Sequence, residues 1–195
     1  MTSATLRKIL MVPALLAAMM TAVSAAPQRT FFCHGSSFPG CLGVLNVAGT
    51  DISYQMTGTP ALAEVDEFTD SATTRNVLWS NIDMKGTTQS GEAIAATLDP
   101  SRQSSGTVLS VGNEEFPATA TMRFFFRIET GGMRLVSGQP AVFQGIIHSI
   151  PPAAGDVLTL IGDPVEFSPE GDPGKNIATL KEASVAFNNP AGTEK

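Results

Sequence analysis

From Ala118 to Glu129 the chain reads A-T-A-T-M-R-F-F-F-R-I-E, and its apolar and polar residues alternate. Ala118, Ala120, Met122, Phe124, Phe126 and Ile128 fall on one side, and Thr119, Thr121, Arg123, Arg127 and Glu129 on the other. A period of two is that of a strand with one buried face; a helix would bring apolar residues together three and four positions apart. Phe125 is the exception, an aromatic residue on the polar side between two arginines.

The same alternation recurs along the chain. Ile52, Tyr54 and Met56 share a face, as do Ile94, Ala96 and Leu98, and Ala183, Val185 and Phe187. In Asn76 to Lys85 the pattern sets Leu78, Ser80, Ile82 and Met84 against Trp79. Ala141 to Ile150 reads as a strand in which Val142, Gln144, Ile146 and His148 share a face, with Gly145 as a candidate bulge. Gly131-Gly132 marks a hairpin turn. Asp99-Pro100, Pro151-Pro152, Gly162-Asp163-Pro164 and Asn188-Asn189-Pro190 end other runs. Pro60 to Phe68 fits a short helical turn, with Thr59 as cap and Pro60 at the first helical position. The count comes to about ten short strands and little helix, the pattern of an all-β protein. An antiparallel β-sandwich is expected, with a closed β-barrel as the alternative.

The first residues read as an address. Arg7 and Lys8 precede the uncharged run Ile9 to Val23, and Val23-Ser24-Ala25 supplies small residues for cleavage. This is the plan of a secretory signal peptide over residues 1–25, and its apolar run is shorter than the roughly 20 residues of a membrane span. A single domain over residues 26–195 is expected to follow, in the periplasm or outside a bacterial cell. No further apolar run of spanning length occurs after the cleavage site. Aromatic girdles need more than one Trp and one Tyr, which argues against an outer-membrane barrel.

Charge narrows the partners. Of 12 basic residues two leave with the signal, so 10 face 18 acidic ones and the exported chain carries −8. An acidic chain without a basic cluster is not expected to bind nucleic acid or anionic membrane. Both cysteines, Cys33 and Cys41, flank a run of turn formers, H-G-S-S-F-P-G, and in an exported chain are expected to form a disulfide.

Candidate chemistry is sparse. His34 and His148 are the only histidines, and no G-x-S-x-G elbow or H-E-x-x-H pair occurs. Hard-oxygen ligands are clustered in Glu64, Asp66, Glu67 and Asp70, with Glu170 and Asp172 in a second loop. Such groups can hold calcium in exported modules, although EF-hand spacing is absent; no other cofactor is indicated. Phe125, with Arg123 and Arg127, forms a candidate binding patch, since aromatic residues and arginine dominate contact surfaces.

These features favour a non-catalytic binding or structural module acting on a protein partner. A carrier that encloses a small apolar ligand between Phe- and Met-rich strands is the second reading. A secreted hydrolase, which would need His148 beside a serine or a carboxylate pair, is the third. N-terminal sequencing of exported protein is expected to begin at Ala26 or Pro27; retention of residues 1–25 would identify the segment as an anchor.

Overall fold

The structure is a computed structural model and describes residues 38–65 and 73–187. The segment 1–25, Cys33, His34, and Asp66, Glu67 and Asp70 of the acidic run lie outside the described residues. The described chain is all-β and antiparallel, with 12 strands and no helix. These are β1 (Phe38–Val47), β2 (Thr50–Val65), β3 (Thr74–Thr88), β4 (Ala93–Leu98), β5 (Ser104–Ser110), β6 (Ala118–Phe124), β7 (Phe126–Thr130), β8 (Met133–Ser137), β9 (Ala141–Ile147), β10 (Val157–Ile161), β11 (Val165–Pro169) and β12 (Ala178–Ala186).

The pairings close on themselves. β1 pairs with β2 on one side and with β12 on the other. β3 pairs with β5 through its first half and with β4 through its second. β12 likewise pairs with both β10 and β11. Four strand pairs, β4–β5, β6–β7, β8–β9 and β10–β11, therefore act as long ribbons broken in the middle, and 12 strands make eight ribbons in a barrel-like ring. The breaks lie side by side at the waist. Proline marks three of them, at Pro100, Pro140 and Pro164, where a missing N–H ends a ladder.

Inside the ring sit the residues that the alternation selects. Ala118, Ala120, Met122, Phe124, Phe126 and Ile128 are all buried. Phe124 meets Trp79 edge-on at 5.4 Å between ring centres, and lies 5.5 Å from Phe126 and 5.7 Å from Phe143. The hairpin at Gly131-Gly132 has φ of 57° and 71°, the left-handed pair that a tight turn between twisted strands requires.

Several local expectations are corrected. Trp79 faces inward with Ile82 and Met84, because Ser80 and Asn81 both point out. The β2–β3 register shifts there, Asn81 opposing Ala61 and Trp79 opposing Leu62, so a bulge inverts the faces. Residues 60–65 belong to strand β2 and not to a helical turn, since the hairpin with β3 satisfies their backbone. Gly145 is not a bulge: β6–β9 pairing runs through it without a shift, and a side chain there would strike the Val157 carbonyl. His148 follows the outward residues of β9, the inward ones being Ala141, Phe143 and Ile147.

The turn expected between the cysteines is shortened as well. Gly40 and Cys41 already pair with Ala186 and Val185 of β12. Cys41 is buried and has no cysteine partner among the described residues; the expected bond to Cys33 lies outside them. Burial pushes its pKa up to about 11, against a hydrogen bond from the Tyr54 hydroxyl.

Phe124→Ala is expected to cost about 3–5 kcal/mol in denaturant unfolding, the range for a buried Phe. Arg123→Ala, at an exposed position without an ion pair among the described residues, is expected to stay within about 0.5 kcal/mol.

Candidate functional site

The waist is where this fold departs from a regular ladder. Leu98 pairs with Phe126 and Ser105 with Arg123, so seven steps of one ribbon oppose three of the next. The surplus forms the crossing 99–103, and the ladder opens around Phe125. Buried serines take the amides that lose strand partners. Ser104 Oγ accepts from the Phe125 N–H at 3.0 Å, and Ser137 Oγ from the Phe126 N–H at 3.1 Å. The Phe125 carbonyl accepts from Asp99 N–H at 2.7 Å.

Arg102 spans three of the breaks. Its Nε donates to Asp99 Oδ2 at 3.3 Å within the first. Its Nη atoms donate to the carbonyls of Gly138 (3.1 Å) and Ser137 at the third. Its guanidinium lies 4.1 Å over the Phe125 ring at the second. From there Gln139 donates to the Pro164 carbonyl at 3.2 Å, reaching the fourth. Asp99, nearly fully buried, also accepts from the Ser101 amide at 3.0 Å and the Ser101 hydroxyl at 2.7 Å. Burial alone would raise its pKa, but the Ser101 bonds and the Arg102 guanidinium outweigh it and hold the carboxyl below its ordinary value.

Beside this staple the wall opens into a groove of about 470 Å³ between the β3 bulge and the crossing. Trp79, Ser80, Asn81, Gln103 and Arg127 are among its lining residues. Arg127 Nη2 is held by Glu170 at 2.7 Å, while its buried Nε has no acceptor. The candidate patch thus divides. Arg127 lines the groove, Phe125 is half-buried beneath Arg102, and Arg123 stands exposed on β6. Asp99 and Arg102 were missed by the alternation, because they sit in a Ser-rich crossing that reads as an ordinary turn.

Glu170 is shared by Arg127 and Arg134, the latter at 3.3 Å, and Arg134 also meets Glu129 at 2.8 Å. Two cations on that carboxylate oppose a calcium ion there. Among the described residues no group of three His, Cys, Asp or Glu converges as a metal site.

His148 has an orienting carboxylate. Its Nδ1 lies 2.7 Å from Asp156 Oδ1, and Asp156 Oδ2 accepts from the His148 and Ala153 amides at 3.0 and 2.7 Å. The imidazole side chain is 63% exposed, and Ser149 beside it donates to the Pro151 carbonyl. Among the described residues no serine bonds the other ring nitrogen, and the Asp156 contacts tie together the two ends of the 148–156 loop.

No protein-family model matches the chain. No curated protein matches it either. Its fold is similar to that of DynF, a protein from the dynemicin biosynthesis pathway of Micromonospora chersina. The two are 15% identical with a TM-score of 0.64, over 87% of this chain and 88% of that one. At that identity the likeness is one of fold.

Arg102→Ala is expected to lower stability by about 2–3 kcal/mol, since it leaves the buried Asp99 carboxylate without its cation. Arg102→Lys should not rescue, because one ammonium cannot serve a carboxylate, two carbonyls and a ring face together. The folded pKa of Asp99 is depressed, so its contribution is present above the unfolded value of about 3.9 and is lost as pH falls through the folded one. Asp99→Asn should accordingly flatten the acid limb of stability against pH in thermal unfolding.

Proposed function

We propose that the chain is an exported, non-catalytic binding module that takes a small acceptor-bearing ligand, such as a carboxylate, in the waist groove. The observation that carries this reading is the buried Arg127 Nε, a donor without an acceptor in a residue that lines the groove. A buried donor left unpaired costs about 1–3 kcal/mol, and a ligand oxygen would relieve it. Ser80, Asn81 and Gln103 add further polar groups around the same space. The groove is preferred to an apolar carrier cavity at the Phe cluster, because Trp79, Phe124, Phe126 and Phe143 pack there against one another. The place of DynF in a biosynthesis pathway supports a small molecule over a macromolecule as the ligand. Export by the segment 1–25 puts this binding in the periplasm or outside the cell.

Trp79 is the single tryptophan and lines the groove, so its fluorescence reports on occupancy. Titration with small mono- and dicarboxylates is expected to shift that emission. Arg127→Ala should weaken the response by about tenfold or more, as for a hydrogen bond to a charged group. An emission that no carboxylate moves, or a response that Arg127→Ala leaves intact, would sink the reading.

A further inference from the structure

The outer surface of the ring is unevenly charged. Leu42, Leu109, Val111, Ile146, Val157 and Ile161 are each at least 39% exposed. All belong to β1, β5, β9 and β10 or, for Val111, to the residue after β5. With β6 and β12 these strands form one continuous stretch of the ring, β5-β6-β9-β10-β12-β1. The cross-strand pairings line up their outward residues. One row runs Thr107, Thr121, Gln144, Thr159, Ser184, Leu42. A neighbouring row begins Leu109, Thr119, Ile146. Neither row holds a charge. Across the waist, the second half of β3 and the strands β7 and β8, which continue the β6 and β9 ribbons, carry Asp83, Lys85, Arg127, Glu129 and Arg134 in ion pairs.

We propose that this uncharged face is the contact through which the chain pairs with a second copy of itself. The chain is acidic, −6 in full and −8 without residues 1–25, so a contact free of carboxylates brings the fewest like charges together. A face of Thr, Ser, Gln and aliphatic side chains complements its own copy, as a two-fold contact requires.

The rim fixes the arrangement. Arg123 of β6 pairs across to Val142 of β9, which pairs to Ile161 of β10. On β12, Glu182 lies two residues from Ser184, which brings it to the far end of that row. Neither Arg123 nor Glu182 has an ion-pair partner among the described residues. A two-fold axis along the strands, between β9 and β10, sets Arg123 of each copy against Glu182 of the other.

Sedimentation velocity of the purified chain over a concentration series tests this. A dimer is expected, and Ile146→Asp should raise its dissociation constant by about tenfold or more while circular dichroism and thermal unfolding stay those of a folded chain. Arg123→Glu should weaken pairing, and Arg123→Glu with Glu182→Arg should restore it. Met133→Asp, an exposed apolar position outside the face, should leave it unchanged. A wild-type chain that is monomeric at about 100 µM, a range in which even weak specific pairs form, overturns the proposal. So does a folded Ile146→Asp variant that pairs as wild type does. A wild-type monomer that instead floats with neutral lipid vesicles assigns the face to a membrane and overturns it too. Failure of the double charge exchange overturns the two-fold arrangement.

Discussion

The fold depends on keeping backbone groups paired where four adjacent ribbons break at the same height. A ring of strands leaves no free edge, but its ladder must be complete, because an unpaired buried amide costs about as much as a lost hydrogen bond. At the waist the register changes and the ladder cannot do this alone. Ser104 and Ser137 replace strand carbonyls as acceptors, and Arg102 supplies donors to carbonyls that face no strand amide. The buried Asp99 aims that guanidinium and balances its charge. A buried ion pair of this kind adds little net stability over a well-packed apolar pair, yet removing one member is costly. In this structure its contacts tie three of the breaks together.

The faces of unbroken strands were legible from the sequence. Alternation placed Phe124 and Phe126 inside because period two survives wherever a strand runs straight, and it survived even across Phe125. It failed at Ser80, where one added residue exchanges every subsequent inside and outside position and nothing in the letters W-S-N-I announces it. It grouped His148 with Val142, Gln144 and Ile146 but left open which way that face points, because apolar residues occupy both faces of β9 and Val142 and Ile146 look as inward as Phe143 and Ile147. Pro60 misled for a related reason. Proline at a first helical position and proline within a strand have the same φ, and only the pairing with Ile82 distinguishes them.

The site was legible in part for the same physical reason. Phe125 stood out because it broke a pattern, and it lies at a break in the ladder. Asp99 and Arg102 left no such trace. D-P-S-R reads as a turn, and a turn that reverses the chain has the same residues as a crossing that carries it onward in one direction. The Pro-marked breaks therefore read as strand ends, so the number of strands comes out nearly right while the ring they form does not follow from the count. The one local hint was Asp two residues before Ser, the spacing at which a carboxylate accepts the backbone amide ahead of it.

Closure also limits how this protein can meet another molecule. Each of the 12 strands has a neighbour on both sides, so a partner cannot add a strand to the described sheet and must read side chains. What it reads depends on the half of the ring it meets. Around β3, β7 and β8 the carboxylates and guanidiniums are already committed to one another, and Glu170 holds two arginines at once. An apolar partner docking there would desolvate those pairs, which costs several kcal/mol per ion unless the geometry is kept. Around β6, β9 and β10 the outward Thr and aliphatic residues lose little on leaving water. The same alternation that fills the interior with Phe and Met therefore leaves, on the outer side of those strands, the surface that costs least to cover.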